Sequence, residues 1–229
     1  MASPEPDGSG NPRARAGQTK RTRTRGALLD AAEAAFEARG WARTRVEDIA
    51  AAAGVSAATA YNHFPSKHGL IGTVYAPYVR SLVTEAERDL AAGRPVVAAL
   101  TDQVRALARL TARHRGLTVA FTAAVQEYTI RVGRAPDPRD PGDPRTQAPV
   151  PDVLRGLVER GQATGELRPF PPAAEISTSL VNLLLLRTLS RPDERPEHAA
   201  ELLLTMLFGA LRPELLLESG REGRPFRVG

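Results

Sequence analysis

Side chains that can hydrogen-bond to nucleic acid or bind metal ions indicate where this sequence could do chemistry. Hydroxyl, amide, imidazole and cationic groups lie close together between positions 44 and 67, at Thr44, Arg45, Ser56, Thr59, Tyr61, Asn62, His63 and Lys67. Such groups bind phosphate oxygens or the edges of bases. The chain has no cysteine and its four histidines are scattered, so we predict no metal site.

Sequence motifs of enzymes are missing from the chain. It has no glycine-rich phosphate loop, no G-x-S-x-G and no H-E-x-x-H. Glu33 and Glu37 lie four residues apart, but helical periodicity places both on a solvated face. We therefore predict that the protein is not an enzyme and needs no cofactor.

Basic residues are concentrated at the N-terminus. Residues 1–25 have six basic and two acidic side chains, a net charge of 6 − 2 = +4, whereas the whole chain has a net charge of +5. Because residues 1–20 are rich in Pro, Gly, Ser and Arg, we predict a disordered basic arm there. Its arginines, together with Arg23, could enter a narrow A·T-rich minor groove. The alternative is a solvated tail without contacts to DNA.

The long apolar segments of membrane and secreted proteins are also missing. The longest apolar stretch, 180–189, is interrupted by Asn182, Arg187 and Thr188, and a membrane span needs roughly 20 apolar residues. The first ten residues do not contain the apolar core of a signal peptide. We predict a soluble cytoplasmic protein that does not bind a membrane.

Apolar residues recur with the period of an α-helix along most of the chain. We predict helices at 24–40, 45–53, 57–64, 67–90, 96–114, 117–132, 150–163, 172–190 and 196–211. Pro77 predicts a kink or a break in its helix, and the Pro/Asp/Arg-rich segment 134–149 predicts an exposed, mobile loop. No segment alternates with the period of a strand, so the predicted fold class is all-α.

Local capping signals join the second and third predicted helices closely. Thr44 and Glu47 have the T-x-x-E spacing of a capping box. Gly54 allows the positive φ of a tight turn, and Ser56 can cap the helix that follows. Two short helices joined in this way form either a helix-turn-helix, whose second helix enters the major groove, or an ordinary helical hairpin.

The residues of this segment also resemble a known family. Asp48-Ile49-Ala50, Ala53-Gly54-Val55-Ser56, Thr59, Tyr61, His63-Phe64, Ser66-Lys67 and Leu70 have the spacing of the DNA-binding region of the TetR family of transcriptional regulators. The similarity covers about residues 22–75 and extends further only in outline. It implies a three-helix DNA-binding domain with a helix-turn-helix at 21–68, a larger helical ligand-binding and dimerisation domain at 69–212, and a flexible tail at 213–229.

By this resemblance the helix at 57–64 is the recognition helix. The implied contacts with DNA are made by Ser56, Ala57, Ala58, Thr59, Tyr61, Asn62 and His63, by Lys67 on a phosphate, and by backbone amides near Thr44 and Arg45. Tyr61 is expected to contact a phosphate or a thymine methyl, and His63 and Thr59 are expected to contact the DNA backbone.

The recognition helix departs from the family in its chemistry. Ala57 and Ala58 stand where hydrogen-bonding residues are common, and Glu47 occupies a position that is basic in some relatives. Asn62 is the only amide on the helix, which contains neither Arg nor Lys. We therefore predict that direct base readout is limited, and that phosphate contacts and the arm supply much of the affinity.

Two helices near the end of the chain are apolar almost all round, which requires burial on two sides. The predicted dimer interface consists of Leu180, Leu183, Leu184, Leu186, Leu203, Met206, Leu207 and Phe208. The alternative is deep burial within one subunit. Members of the family dimerise through a two-fold interface, and such a dimer presents two recognition helices about 34 Å apart to a palindromic operator.

The resemblance further implies a pocket for a regulatory ligand between the linking helix and the middle helices. Candidate lining residues are Tyr75, Tyr78, His114, Phe121, Gln126, Tyr128 and Asn182. No regularly spaced charge in the middle helices indicates an anionic or metal-bound effector. The predicted function is a homodimeric repressor that a small-molecule effector releases from its operator. The alternative is a ligand-binding or scaffold dimer with weak or lost sequence-specific DNA binding.

Overall fold

The computed structural model describes residues 12–211, and within this range it contains ten helices and no strand. The helices are α1 (Pro12–Arg43), α2 (Val46–Ala52), α3 (Ala57–His63), α4 (Lys67–Ala91), α5 (Val96–Arg113), α6 (Arg115–Val132), α7 (Pro144–Gln147), α8 (Asp152–Thr164), α9 (Ala173–Ser190) and α10 (Pro196–Leu211). The predicted all-α class is confirmed. Residues 1–11 of the predicted arm and the predicted tail at 213–229 lie outside the described residues.

The first helix begins earlier than the sequence pattern predicts. Residues 12–20 form the first turns of α1, so the prediction of disorder is wrong for them. Pro12 suits the first turn because its missing N–H would have no partner there. The Arg, Ala, Gln and Lys residues that follow are good helix formers. In addition, the Thr19 hydroxyl donates to the Arg15 carbonyl oxygen one turn back, at 2.9 Å.

Gly40 interrupts α1 before the segment that leads to α2. Its φ of 71° lies in the left-handed region, which a residue with a Cβ rarely adopts. The change of direction buries Trp41, whose ring centroid lies 6.0 Å from that of Phe36. The predicted helix end at Gly40 is thus present, although a short helical segment follows it.

The larger part of the chain packs around α4. Helix α4 continues through Pro77 without a break and packs against α1, α5, α6, α7 and α8. Helices α5, α9 and α10 pack against one another, and α1 lies along α6. None of the described helices is both long enough and apolar enough to cross a membrane.

The Pro/Asp/Arg-rich segment 134–149 packs against the body through residues 143–148, so the prediction of an exposed loop is wrong for this part, whereas most of 134–141 is exposed. It contains α7 and buries Asp143, Pro144 and Ala148. Asp143 accepts hydrogen bonds from the Arg145 side chain, and the Tyr128 hydroxyl donates to Asp140. Because these carboxylates find partners within the protein, a polar segment can lie against the body without leaving them unpaired.

Glu33 and Glu37 join α1 to the second domain, although Glu37 is exposed, as predicted, and Glu33 is half-buried. The Tyr78 hydroxyl donates to Glu33, and the amides of Gly116 and Leu117 donate to Glu37 at 3.1 and 2.7 Å. Glu37 therefore caps the first turn of α6, whose amides have no partner within that helix.

Candidate DNA-binding site

Helices α2 and α3 form a helix-turn-helix. Gly54 in the turn has a φ of 70°, and Ser56 caps α3 by accepting a hydrogen bond from the Thr59 amide at 3.2 Å. Both predictions from the local sequence are confirmed. Ala60 and Phe64 face inward and are buried, so the opposite side of α3 is turned outward.

The outward side of α3 is polar but uncharged. Ser56, Ala58, Tyr61 and Asn62 are exposed, and Ala57, Thr59 and His63 are half-buried. The Thr59 hydroxyl lies 2.9 Å from that of Ser56. The structure therefore places the predicted contact residues of this helix together on or beside one surface.

Glu47 on α2 reaches that surface. The Tyr61 hydroxyl donates to a Glu47 carboxylate oxygen at 3.2 Å, and Arg45 lies 3.6 Å from the other oxygen. Hydrogen bonds from its own backbone amide and from Tyr61 lower the pKa of Glu47, so the carboxylate is ionised at neutral pH. Partial burial and the Glu47 hydrogen bond raise the pKa of Tyr61. A negative charge consequently lies beside the recognition helix.

Thr44 does not form the predicted capping box. Its buried hydroxyl donates towards the carbonyl oxygens of Gly40 and Ala35, at 2.8 and 3.1 Å, and so completes the C-terminal end of α1. The N-cap residue of α2 is Arg45, which makes no side-chain capping bond. The capping box is wrong because the Thr44 hydroxyl is engaged with carbonyl oxygens of α1 and α2 begins one residue later, with Arg45 as its N-cap. The Thr44 side chain is therefore not on the surface.

Lys67 is held within the protein rather than extended from it. Its ammonium donates to the Trp41 carbonyl oxygen at 2.5 Å and lies 3.9 Å from the centroid of the Trp41 ring. Burial lowers the pKa of Lys67. A contact with phosphate, as the resemblance implies, would require Lys67 to leave the carbonyl at the end of α1.

Arg25 links α1 to the end of α3, a role that the sequence analysis missed. Its guanidinium lies 4.3 Å from the centroid of the Phe64 ring and donates to the His63 carbonyl oxygen at 3.4 Å. The neighbouring Arg23 is exposed. Arg25 thus has a structural role, whereas the Arg23 side chain is exposed to solvent and could contact DNA.

A polar junction joins this domain to the next. The Trp41 indole donates to Glu127 of α6 at 2.7 Å, and the second carboxylate oxygen of Glu127 lies 3.2 Å from Nε2 of buried His68. Burial lowers the pKa of His68, and the Trp41 hydrogen bond lowers that of Glu127. The sequence offers no signal for this junction, because Trp41 and Glu127 are 86 residues apart.

The predicted pocket residues form one cluster and three outliers. The Tyr75 ring stacks on Phe121 with centroids 4.4 Å apart, and the Tyr78 ring lies 6.0 Å from Tyr75 and 4.6 Å from His114. Burial raises the pKa of Tyr75 to about 12, and its hydroxyl pairs with Thr118.

The outliers lie elsewhere in the second domain. Gln126 and Asn182 are exposed, and Tyr128 belongs to the contact with segment 134–149. The prediction that all seven residues line one pocket is therefore wrong: Gln126 faces solvent, Tyr128 lies two turns beyond Phe121 on α6, and Asn182 belongs to α9.

The predicted dimer residues divide into two groups. Leu180, Leu184, Leu203 and Leu207 are buried within the subunit. Leu186 and Met206 are 50% and 46% exposed, and Leu183 and Phe208 are half-buried. Burial within the subunit thus applies to the first group, and for the second group the dimer interface stays a prediction.

The comparisons with known proteins agree with this geometry. Residues 28–74 match the family model described as bacterial regulatory proteins, tetR family. FadR from Thermus thermophilus, a TetR-family transcriptional repressor solved in complex with lauroyl-CoA, is 27% identical over 90% of this chain and 99% of its own, with a TM-score of 0.62.

Further solved structures share the fold at lower identity. A putative TetR-family regulator from Rhodococcus sp. is 24% identical over 82% of this chain and 98% of its own, with a TM-score of 0.59. FadR from Bacillus subtilis, solved with stearoyl-CoA, is 15% identical over 79% of this chain and 96% of its own, also with a TM-score of 0.59. No curated protein matches the chain significantly. The helix-turn-helix and the family match over residues 28–74 show a DNA-binding domain of the TetR type, and the remaining helices share the fold of the TetR-family regulators named above.

Proposed function

We propose that this protein is a homodimeric repressor that binds a palindromic operator and is released by a small-molecule effector. The observation that supports DNA reading is the outward side of α3, where Tyr61 and Asn62 are exposed on a helix capped by Ser56. Asn62 can form a bidentate hydrogen bond with adenine, and Ala58 can contact a thymine methyl. A repressor of this kind regulates transcription and is not an enzyme. Because its operator is on DNA, the proposed location of the protein is the cytoplasm.

The dimer is supported by the exposed apolar side chains of α9 and α10. Leu186 and Leu189 on α9 and Met206 on α10 are each more than a third exposed. Apolar surface of this kind favours association with a second copy through a two-fold axis. Two α3 helices would then face successive major grooves.

An effector acts by binding more tightly to the form of the dimer that does not fit the operator. FadR from Thermus thermophilus was solved with lauroyl-CoA, so acyl-CoA esters are the first effectors to test.

For the arm, we propose that Arg23 and the basic residues before it contact the minor groove. Replacing Lys20, Arg21 and Arg23 with Gln should then reduce the dependence of DNA affinity on salt; an unchanged slope would contradict this.

The deciding experiment is footprinting on the DNA that flanks the gene for this protein. We expect a protected palindrome that Asn62→Ala weakens by about tenfold, since a bidentate base contact contributes roughly 1–3 kcal/mol. Gln126→Ala, which removes an exposed amide on α6, is the control and should bind as the unmodified protein does.

A second function is favoured by one observation. Helix α3 contains neither Lys nor Arg, and its Tyr61 is hydrogen-bonded to an anionic Glu47. A scaffold or ligand-binding dimer with weak or lost sequence-specific DNA binding would have this chemistry. Absence of a protected palindrome at low salt would favour this second function.

A further inference from the structure

A small cleft lies where the corner between α5 and α6 meets the connection between α9 and α10. Its volume is about 60 Å³, and its polar lining consists of Thr111, Arg115, Arg187, Thr188, Arg191 and Glu194. A space of this size holds one or two waters or a single small anion, but not a whole metabolite.

Arg115 is the residue that indicates a ligand. Its Nε is buried without a hydrogen-bond partner. Arg155 and Arg168 also have a buried, unpaired Nε, but each uses a terminal nitrogen, to Asp152 and to the Ala210 carbonyl respectively. Arg115 has no such bond to any residue within 12–211. The Arg115 side chain is half-buried, and a buried N–H without a partner is costly, which points to an anion that completes the site.

The charges of the cleft match a phosphate group. Glu194 neutralises one arginine by accepting two hydrogen bonds from the Arg187 guanidinium. Three arginines and one glutamate give 3 − 1 = +2, which is the charge that balances a phosphate monoester near neutral pH. Thr111 and Thr188 donate to carbonyls of their own helices, so the arginines are the available donors. Guanidinium groups bind phosphate oxygens in pairs.

The cleft opens towards a wider depression of about 580 Å³ that shares Arg191 and Glu194. This depression is net acidic, because Arg191 and Arg195 face Asp193, Glu194, Glu197 and Glu201, a net charge of 2 − 4 = −2. A ligand that places its phosphate in the cleft therefore has room outside it for a remainder that is polar and uncharged or cationic.

We propose that this cleft binds the phosphate group of a small-molecule effector. The inference rests on the proposed effector response and specifies its chemistry. Arg115 is the first residue of α6, and the adjacent Gly116 lies against α1, where a Cβ would come within 2.3 Å of the Glu37 carbonyl oxygen. Binding at Arg115 thus acts on a turn that touches the helix leading into the DNA-binding domain.

The test is calorimetric titration of the full-length protein with inorganic phosphate at constant ionic strength. We expect saturable binding that Arg115→Gln weakens by about tenfold, because hydrogen bonds to charged groups contribute roughly 1.5–3 kcal/mol. Arg113→Gln removes an exposed arginine two positions away, which does not line the cleft, and should bind as the unmodified protein does. Should Arg115→Gln fail to fold, Arg191→Gln provides the same comparison from an exposed position.

Three results would overturn the proposal: no saturable binding of phosphate, equal binding of acetate, or unchanged binding by both cleft variants. The titration contains no DNA, so it is independent of operator binding. If phosphate binds but no operator is found, the cleft stands and the proposed repressor function fails. If the operator is found but phosphate does not bind, the proposal for the cleft fails and the proposed repressor function stands.

Discussion

At the scale of single residues, the chemistry around α3 depends on Glu47. Its carboxylate is ionised, accepts the Tyr61 hydrogen bond and lies beside the surface that would meet phosphates. A carboxylate there repels DNA, and the Tyr61 hydroxyl cannot donate to a phosphate while it donates to Glu47. Glu47 is therefore expected to weaken DNA binding in the native protein.

Glu47→Gln should raise the affinity for DNA by about threefold, since removing one charge near a phosphate in water changes the binding energy by roughly 0.5–1 kcal/mol. Fluorescence anisotropy with an operator duplex measures the effect. Glu175→Gln, which removes an exposed carboxylate on α9, should leave the affinity unchanged. A weaker Glu47→Gln complex would mean that Glu47 positions Tyr61 rather than repelling DNA.

The junction at His68 predicts a dependence of stability on pH. Burial lowers the pKa of His68 from its ordinary 6.5, so folding favours the neutral ring. Its contribution to the free energy of unfolding is complete above pH 6.5 and is lost as the pH falls towards the lowered pKa. Denaturant unfolding at pH 7.5 and 5.5 should show a loss of stability on acidification.

To isolate His68, the free energy of unfolding of each variant is measured at pH 7.5 and at pH 5.5, and the difference between the two values is compared. His68→Gln should reduce that difference, whereas His198→Gln, at an exposed position, should not. Glu127 contributes little in this range, because its pKa is lowered from 4.5. Equal differences in all three proteins would show that another group is responsible.

At the scale of elements, two glycines of α4 allow segment 134–149 to lie against it. A Cβ on Gly69 would come within 2.6 Å of the Pro141 carbonyl oxygen. A Cβ on Gly72 would come within 2.8 Å of Gln147 Cβ and 2.9 Å of Pro144 Cα. A side chain at either position would therefore push the segment away from α4. Glycine destabilises the helix itself, and the close contact with the segment offsets this loss of stability.

Gly72→Ala should destabilise the protein by roughly 1–3 kcal/mol, because the added methyl group collides with backbone and Cβ atoms of α7. Gly26→Ala is the matched control: its Cβ would meet nothing within 4 Å, so it should stabilise α1 by roughly 0.5–1 kcal/mol. Denaturant unfolding measures both. Stabilisation by Gly72→Ala would contradict the close packing of α7 on α4.

At the scale of the whole molecule, the proposed function requires a second copy of the chain. Leu180, Leu184, Leu203 and Leu207 belong to the core of one subunit. This leaves Leu186, Leu189 and Met206 as the exposed apolar side chains of α9 and α10. The proposed dimer would bury them.

Leu186→Glu should convert the dimer to a monomer and abolish tight binding to a palindrome, since each half-site would then be bound alone. Sedimentation velocity measures the mass. Ile130→Glu is the control, because Ile130 is 84% exposed on α6, away from the proposed interface. A dimer that survives Leu186→Glu would place the interface elsewhere.

The candidate site could be predicted from the sequence where its determinants are local. Ser56 caps α3 through an amide three residues away, and Gly54 makes its turn through its own φ. Thr44 and Lys67 differ from their predicted roles because their partners belong to the end of α1, which folds back over them. In the second domain, residue type groups Gln126 with Tyr75 as a pocket residue, whereas in the structure Gln126 lies on a solvent-facing side of α6.

The all-α class and nine of the ten described helices follow from the sequence alone, because helical periods and caps act over a few residues. Local signals left the helix-turn-helix and an ordinary hairpin open, and the resemblance to the TetR family favoured the former. The packing of the whole domain sets which faces of α9 and α10 remain exposed, how segment 134–149 is held, and that Arg115, Arg187 and Arg191 line one cleft. These arginines have no regular spacing along the chain. They come together because α6 and α9 pack side by side, and such contacts depend on the fold of the entire domain.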